Sequence, residues 1–112
     1  MKNTIKLALS GVVVITVGRM SAAGLLPRNM LAGIRIPSTL RSDDAWRAGH
    51  AAAATALTVA GLGPIAAAAV VGVREPDEES EKLISRIGTA WLLGFVVLAT
   101  VQARNAARAV GG

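Results

Sequence analysis

The 112-residue chain has no cysteine and no tyrosine, and only one phenylalanine, two tryptophans and one histidine. The lack of cysteine excludes disulfides, thiolate zinc sites and cysteine nucleophiles, and leaves the redox compartment undetermined. Charge is scarce too, at 17% of residues, against about 25% in an ordinary soluble domain. There is no GxSxG, no phosphate-binding glycine loop and no acidic pair inside an apolar stretch, so the familiar hydrolase and nucleotide chemistries have no carrier. These shortages argue against a soluble enzyme, a disordered chain and a disulfide-stapled secreted mini-protein. The length allows one domain, residues 1–112.

What is present is apolar and clustered. Apolar residues make up 53% of the chain and the mean hydropathy is +0.53. Residues 51–73 and 87–103 are uncharged runs of 23 and 17 residues, close to the roughly 20 helical residues that cross a hydrocarbon core. A third apolar segment, residues 5–26, contains the clean run 7–18 bracketed by Lys6 and Arg19, and Arg19 can snorkel to an interface. Gly24-Leu-Leu-Pro27 should end that helix, because proline disfavours a helical Leu26. It reads as a retained anchor rather than a cleaved signal peptide, since Arg19 interrupts the approach to Ser21-Ala-Ala23 and two further spans follow. The expected fold is an all-α integral membrane protein with three transmembrane helices near 5–26, 43–73 and 81–108. A structured loop over 27–48, with an interfacial helix start, joins the first two.

The second span holds ten alanines in its 23 residues, so it inserts weakly alone and should seek a protein neighbour through close backbone approach. Pro64 should kink it and leave the Ala60 carbonyl without its usual donor. Thr55, Thr58, Thr89 and Thr100 lie in the spans and should bond to backbone carbonyls or to neighbouring helices. Trp91 and Phe95 share a face four residues apart, and Trp46 should sit at headgroup level.

The net charge of +5 suits membrane-flanking positions better than nucleic acid, because most arginines and lysines stand at the ends of apolar segments. Two basic residues precede the first span and three lie in the acidic connector 74–86. Four lie in the 27–48 loop and two in the C-terminal tail, with Arg19 beside that loop. The positive-inside bias then places the loop and the C-terminus in the cytoplasm and the N-terminus outside.

The unusual patch is Leu26-Pro-Arg-Asn29, then Gly33-Ile-Arg-Ile-Pro37, Thr39-Leu, and Ser42-Asp-Asp-Ala-Trp-Arg-Ala-Gly-His50. Arg28 and Arg35 suit phosphates or carboxylates, which guanidinium pairs bidentately. Asn29 suits loop hydrogen bonding, and Gly33 suits a tight turn or close approach. Ser42 followed by two acids suits a helix start, with Asp43 and Arg47 spaced as an i,i+4 pair. Asp43, Asp44 and His50 fall short of a closed metal-ligand set. A lone histidine at a helix entrance is more often a hydrogen-bonder than a catalyst. A loop-locking network and a recognition surface are both compatible with these residues.

The patch resembles the signature of the SdpI family of small bacterial membrane proteins: Pro-x-Asn, Gly-Ile/Leu-Arg-Thr, then Ser-Asp/Glu-x-x-Trp-x-x-x-His-Arg. Ile36 stands where threonine is usual and Ala51 where arginine is usual, and Leu31 and Ala32 occupy positions that often carry an aromatic. The founding member also carries a further membrane-spanning half before this domain. The resemblance implies a protein of the bacterial cytoplasmic membrane that acts by binding, without a cofactor. Its implied roles are immunity to a secreted toxic peptide or signalling to a regulatory protein. Pro27, Arg28, Asn29, Gly33, Arg35, Ser42, Asp43, Trp46 and His50 become the expected ligand- or partner-binding residues. Membrane lipids and a homo- or hetero-oligomer are expected partners, and nucleic acid is not. The alternative from another class is a structural or assembly subunit of a larger membrane complex.

Overall fold

The computed structural model describes residues 2–26 and 33–110, and among these there is no strand. The helices are α1 (Lys2–Ala22), the short α2 (Pro37–Leu40), α3 (Asp43–Arg74) and α4 (Glu78–Ala109). Three of them are long and apolar enough to cross a membrane, so the protein is an all-α, three-span membrane protein. At about 1.5 Å per residue, the 32 residues of α3 run for roughly 48 Å, well beyond a hydrocarbon core of about 30 Å. The molecule measures 54 × 20 × 20 Å.

Each helix end has a local cause. α1 stops at Ala22, four residues short of the limit expected near 26, because Gly24 adopts φ +70. The Leu25 N–H then donates to the Met20 carbonyl at 2.9 Å and the Gly24 N–H to Ser21 at 3.3 Å. That pair of bonds is a Schellman cap, which ends a helix without help from a proline. Ser42 caps α3 by accepting from the Ala45 N–H at 3.0 Å, and Asp43 and Asp44 occupy the first turn, where the helix dipole favours acids. Asp77 caps α4 through the Ser80 N–H at 2.7 Å, and that donated proton holds its carboxyl below the ordinary aspartate range.

α3 is the central helix. It packs antiparallel against α1 on one side and α4 on the other, while α1 and α4 scarcely touch each other. Its alanines and glycines make this possible: Gly11 of α1 lies against the Gly61 carbonyl, and Gly49 lies within reach of the Ala103 carbonyl of α4. Ala53, Ala60 and Ala103 are fully buried. A side chain larger than a methyl at such contacts would push the backbones apart.

α3 continues through Pro64 without a break. The indole Nε1 of Trp91 donates to the Val59 carbonyl at 2.8 Å, one residue before the Ala60 carbonyl that proline deprives of its donor. The ring lies on Gly63, where any β-carbon would collide with it, and its centroid is 4.7 Å from that of Phe95. Trp91→Phe should therefore destabilise the α3–α4 pair by about 1 kcal/mol, the scale of an interhelical hydrogen bond in a membrane. Reversible unfolding in mixed micelles measures this, and an unchanged midpoint would show that the indole bond contributes nothing.

Candidate functional site

The signature loop closes one end of the bundle, where α1 ends, α3 begins and α4 ends. Pro27, Arg28 and Asn29 lie outside the described residues. The remaining signature residues fall into a buried set and an exposed set, and the two do different things.

Trp46 and His50 are the buried pair, each 1% exposed, one turn apart on α3. Trp46 is enclosed by the protein rather than presented to lipid headgroups. Its ring is inside the protein, and its Nε1 donates to the Leu26 carbonyl at 2.8 Å. His50 stacks against it at a centroid distance of 4.1 Å. The Ile34 amide lies 2.9 Å from His50 Nε2, and an amide can only donate, so Nε2 accepts. The ring proton therefore sits on Nδ1, which donates to the Trp46 carbonyl at 2.8 Å. Both ring nitrogens are used in holding backbone. Two side chains of one helix turn thus fix both described ends of the loop, Leu26 before it and Ile34 after it.

Gly33 makes that approach possible. Its φ is +98, a region that side chains rarely adopt, and a β-carbon there would lie 2.6 Å from His50 Nε2 and 3.1 Å from the Trp46 ring. Close approach, not turn flexibility alone, requires glycine here.

Thr39 and Arg41 add two ties whose roles the sequence reading missed. Thr39 is fully buried; its hydroxyl lies 2.6 Å from the Ile34 carbonyl and accepts from the Ile36 N–H at 3.2 Å. The arginine reaches across to α4, where one guanidinium nitrogen donates to the Ala107 carbonyl at 2.7 Å and to the Val110 carbonyl at 2.6 Å. The Ala107 carbonyl also accepts the N–H of the cap residue Val110 at 3.2 Å, so the guanidinium adds a charged donor to the C-terminal cap of α4. An arginine four residues after a Pro at the start of a short helix was the available signal, but nothing in the sequence names a partner 66 residues away.

The exposed set is charged. Arg35, Asp43, Asp44 and Arg47 are all exposed. Arg19, Arg104 and Arg108 belong to helix ends at this same end of the bundle. With Arg41, the described residues of this end carry six arginines against two acids, and the opposite end carries five basic and five acidic residues. The positive charge of the described residues therefore resides at the loop end.

The family model described as the SdpI/YfhL protein family matches residues 25–103, which include the loop, α2, α3 and most of α4. No curated protein and no solved structure gives a match.

Proposed function

The chain belongs to the SdpI/YfhL protein family, and on that premise we propose that it is a membrane binding protein whose loop end recognises a partner rather than performing catalysis. The partner class is a secreted toxic peptide, against which the protein gives immunity, or a regulatory protein that it draws to the membrane. The observation behind this reading is the division of labour in the loop. Buried Trp46, His50 and Thr39 spend their polar atoms on backbone, while charged Arg35, Asp43, Asp44 and Arg47 are presented outward. A described segment whose buried side chains are already bonded and whose charges point outward suits recognition, because little ordering cost falls on binding. The excess of arginine at this end favours the cytoplasmic side for it, the side from which a regulatory protein would be met.

Expression should protect a sensitive cell against the cognate peptide. Arg35→Ala should remove that protection while the protein remains in the membrane fraction at its usual level. Protection unaffected by the substitution would contradict a role for this face.

A groove between α3 and α4 favours a second reading, assembly into a larger membrane complex. It has a volume of about 430 Å3 and is lined by Leu62, Gly63, Val70, Ile84, Gly88 and Trp91. Purification in a mild detergent separates the readings: a stoichiometric companion subunit supports assembly, and a monomer supports the binding module.

A further inference from the structure

A second polar feature lies at the opposite end of the molecule from the signature loop. Because α1 and α4 both pack on α3 and scarcely on each other, their N-terminal parts stand apart. A cavity of about 570 Å3 opens between them, with Lys6 and Ser10 on α1 facing Glu81, Ser85, Arg86 and Thr89 on α4. The α4 residues recur at three- and four-residue spacing, so they form one polar stripe at the start of a helix that carries no charge from residue 87 to 103.

The polar groups of this stripe are not spent on one another. Lys82 is paired with Glu78 at 3.6 Å, but among the described residues Lys6, Arg86 and Glu81 have no ion pair. Hydroxyls within helices usually bond back to the preceding turn, as Thr16, Ser21, Thr58 and Thr100 do here. Those of Ser85 and Thr89 do not. Ser10 donates to the Leu7 carbonyl at 2.7 Å and keeps its lone pairs.

The depth of the cleft is also defined. Lys6 is the last charge before the apolar run 7–18, and Arg86 is the last before the run 87–103. Both cations therefore stand at the boundary of the hydrocarbon core, the level of lipid phosphates.

The geometry points to a phospholipid headgroup site in the cleft between α1 and α4, fitted to a zwitterionic ethanolamine phosphodiester. Lys6 and Arg86 take the phosphate, Arg86 in the bidentate manner of a guanidinium. Ser85 and Thr89 donate to its oxygens, and Glu81 receives the ammonium. Inorganic phosphate offers nothing to Glu81, and an anionic glycerol headgroup offers it no cation. This site is independent of the recognition face at the loop end.

Native mass spectrometry of the delipidated full chain in detergent tests it, with phosphatidylethanolamine, phosphatidylglycerol and inorganic phosphate added separately at equal concentration. Phosphatidylethanolamine should be retained best. The double variant Lys6→Ala/Arg86→Ala should lose at least about tenfold of that binding, since both charged donors to the phosphate are gone. Glu81→Gln should keep lipid binding but erase the preference for ethanolamine over glycerol. Should the double variant lose its helical circular dichroism, Ser85→Ala/Thr89→Val replaces it, with weaker retention expected. Undiminished lipid retention in the folded variants, or inorganic phosphate bound as well as lipid, would overturn the assignment.

Discussion

Gly33→Val should lower the stability of the protein by roughly 3 kcal/mol or more, the sum of backbone strain and a blocked contact. The strain follows from φ +98, which a β-branched residue adopts least readily of all. The blocked contact follows from a β-carbon 2.6 Å from His50 Nε2 and 3.0 Å from Leu26 Cδ2. His50 cannot turn aside to make room without surrendering the Ile34 amide, and Leu26 cannot move without disturbing the carbonyl that Trp46 holds. Gly33→Ala should act in the same direction with a smaller effect, since it adds the β-carbon without the branch. Thermal unfolding in micelles, followed by tryptophan fluorescence, measures both. A midpoint within a degree or so of the parent for Gly33→Val would show that the loop does not pack as described.

The second large effect is expected at Trp46. Trp46→Ala removes a fully buried ring and should cost about 3–5 kcal/mol, the range for emptying an aromatic position in a packed core. It also leaves the Leu26 carbonyl without its donor and His50 without its stacking partner. Trp46→Phe separates these contributions, because it keeps most of the ring and removes only the bond to Leu26, for about 1 kcal/mol. The comparison with Trp91→Ala is informative, since Trp91 is 46% exposed and its loss leaves a shallower gap. Denaturant titration in mixed micelles should rank the variants Trp46→Ala, then Trp91→Ala, then Trp46→Phe, from most to least destabilised. A Trp46→Ala protein as stable as Trp46→Phe would mean that the ring faces lipid after all.

The three spans were legible in the sequence because each has a long uncharged run and a basic or acidic residue at its ends, which is a property of composition alone. The loop was legible as a pattern of rare residue types, and Ser42 as a cap followed by two acids. The orientation of Trp46 was not legible. A tryptophan at a helix entrance reads as an interfacial anchor, and only the return of the chain through Leu26 and Ile34 encloses it. The end of α1 was misplaced for a similar reason: proline is the louder signal, but the left-handed Gly24 acts first. Arg41 was visible as a charge and invisible as a cap, because its acceptors belong to a helix end far along the chain. Thr55 and Thr89 depart from the expected bonding of membrane threonines, while Thr58 and Thr100 follow it. Local propensity sets the helices, and long-range contacts decide what the signature residues do.

The central claim is that the signature loop is pinned by a buried histidine that accepts a backbone proton. The chain contains a single histidine, so nitrogen NMR of histidine-labelled protein in micelles or bilayers reports on His50 alone. The account predicts a neutral ring with its proton on Nδ1 and an acceptor-type Nε2, and, in uniformly labelled protein, slow solvent exchange of the Ile34 amide. A proton on Nε2, or an Ile34 amide that exchanges as freely as an open loop, would contradict it.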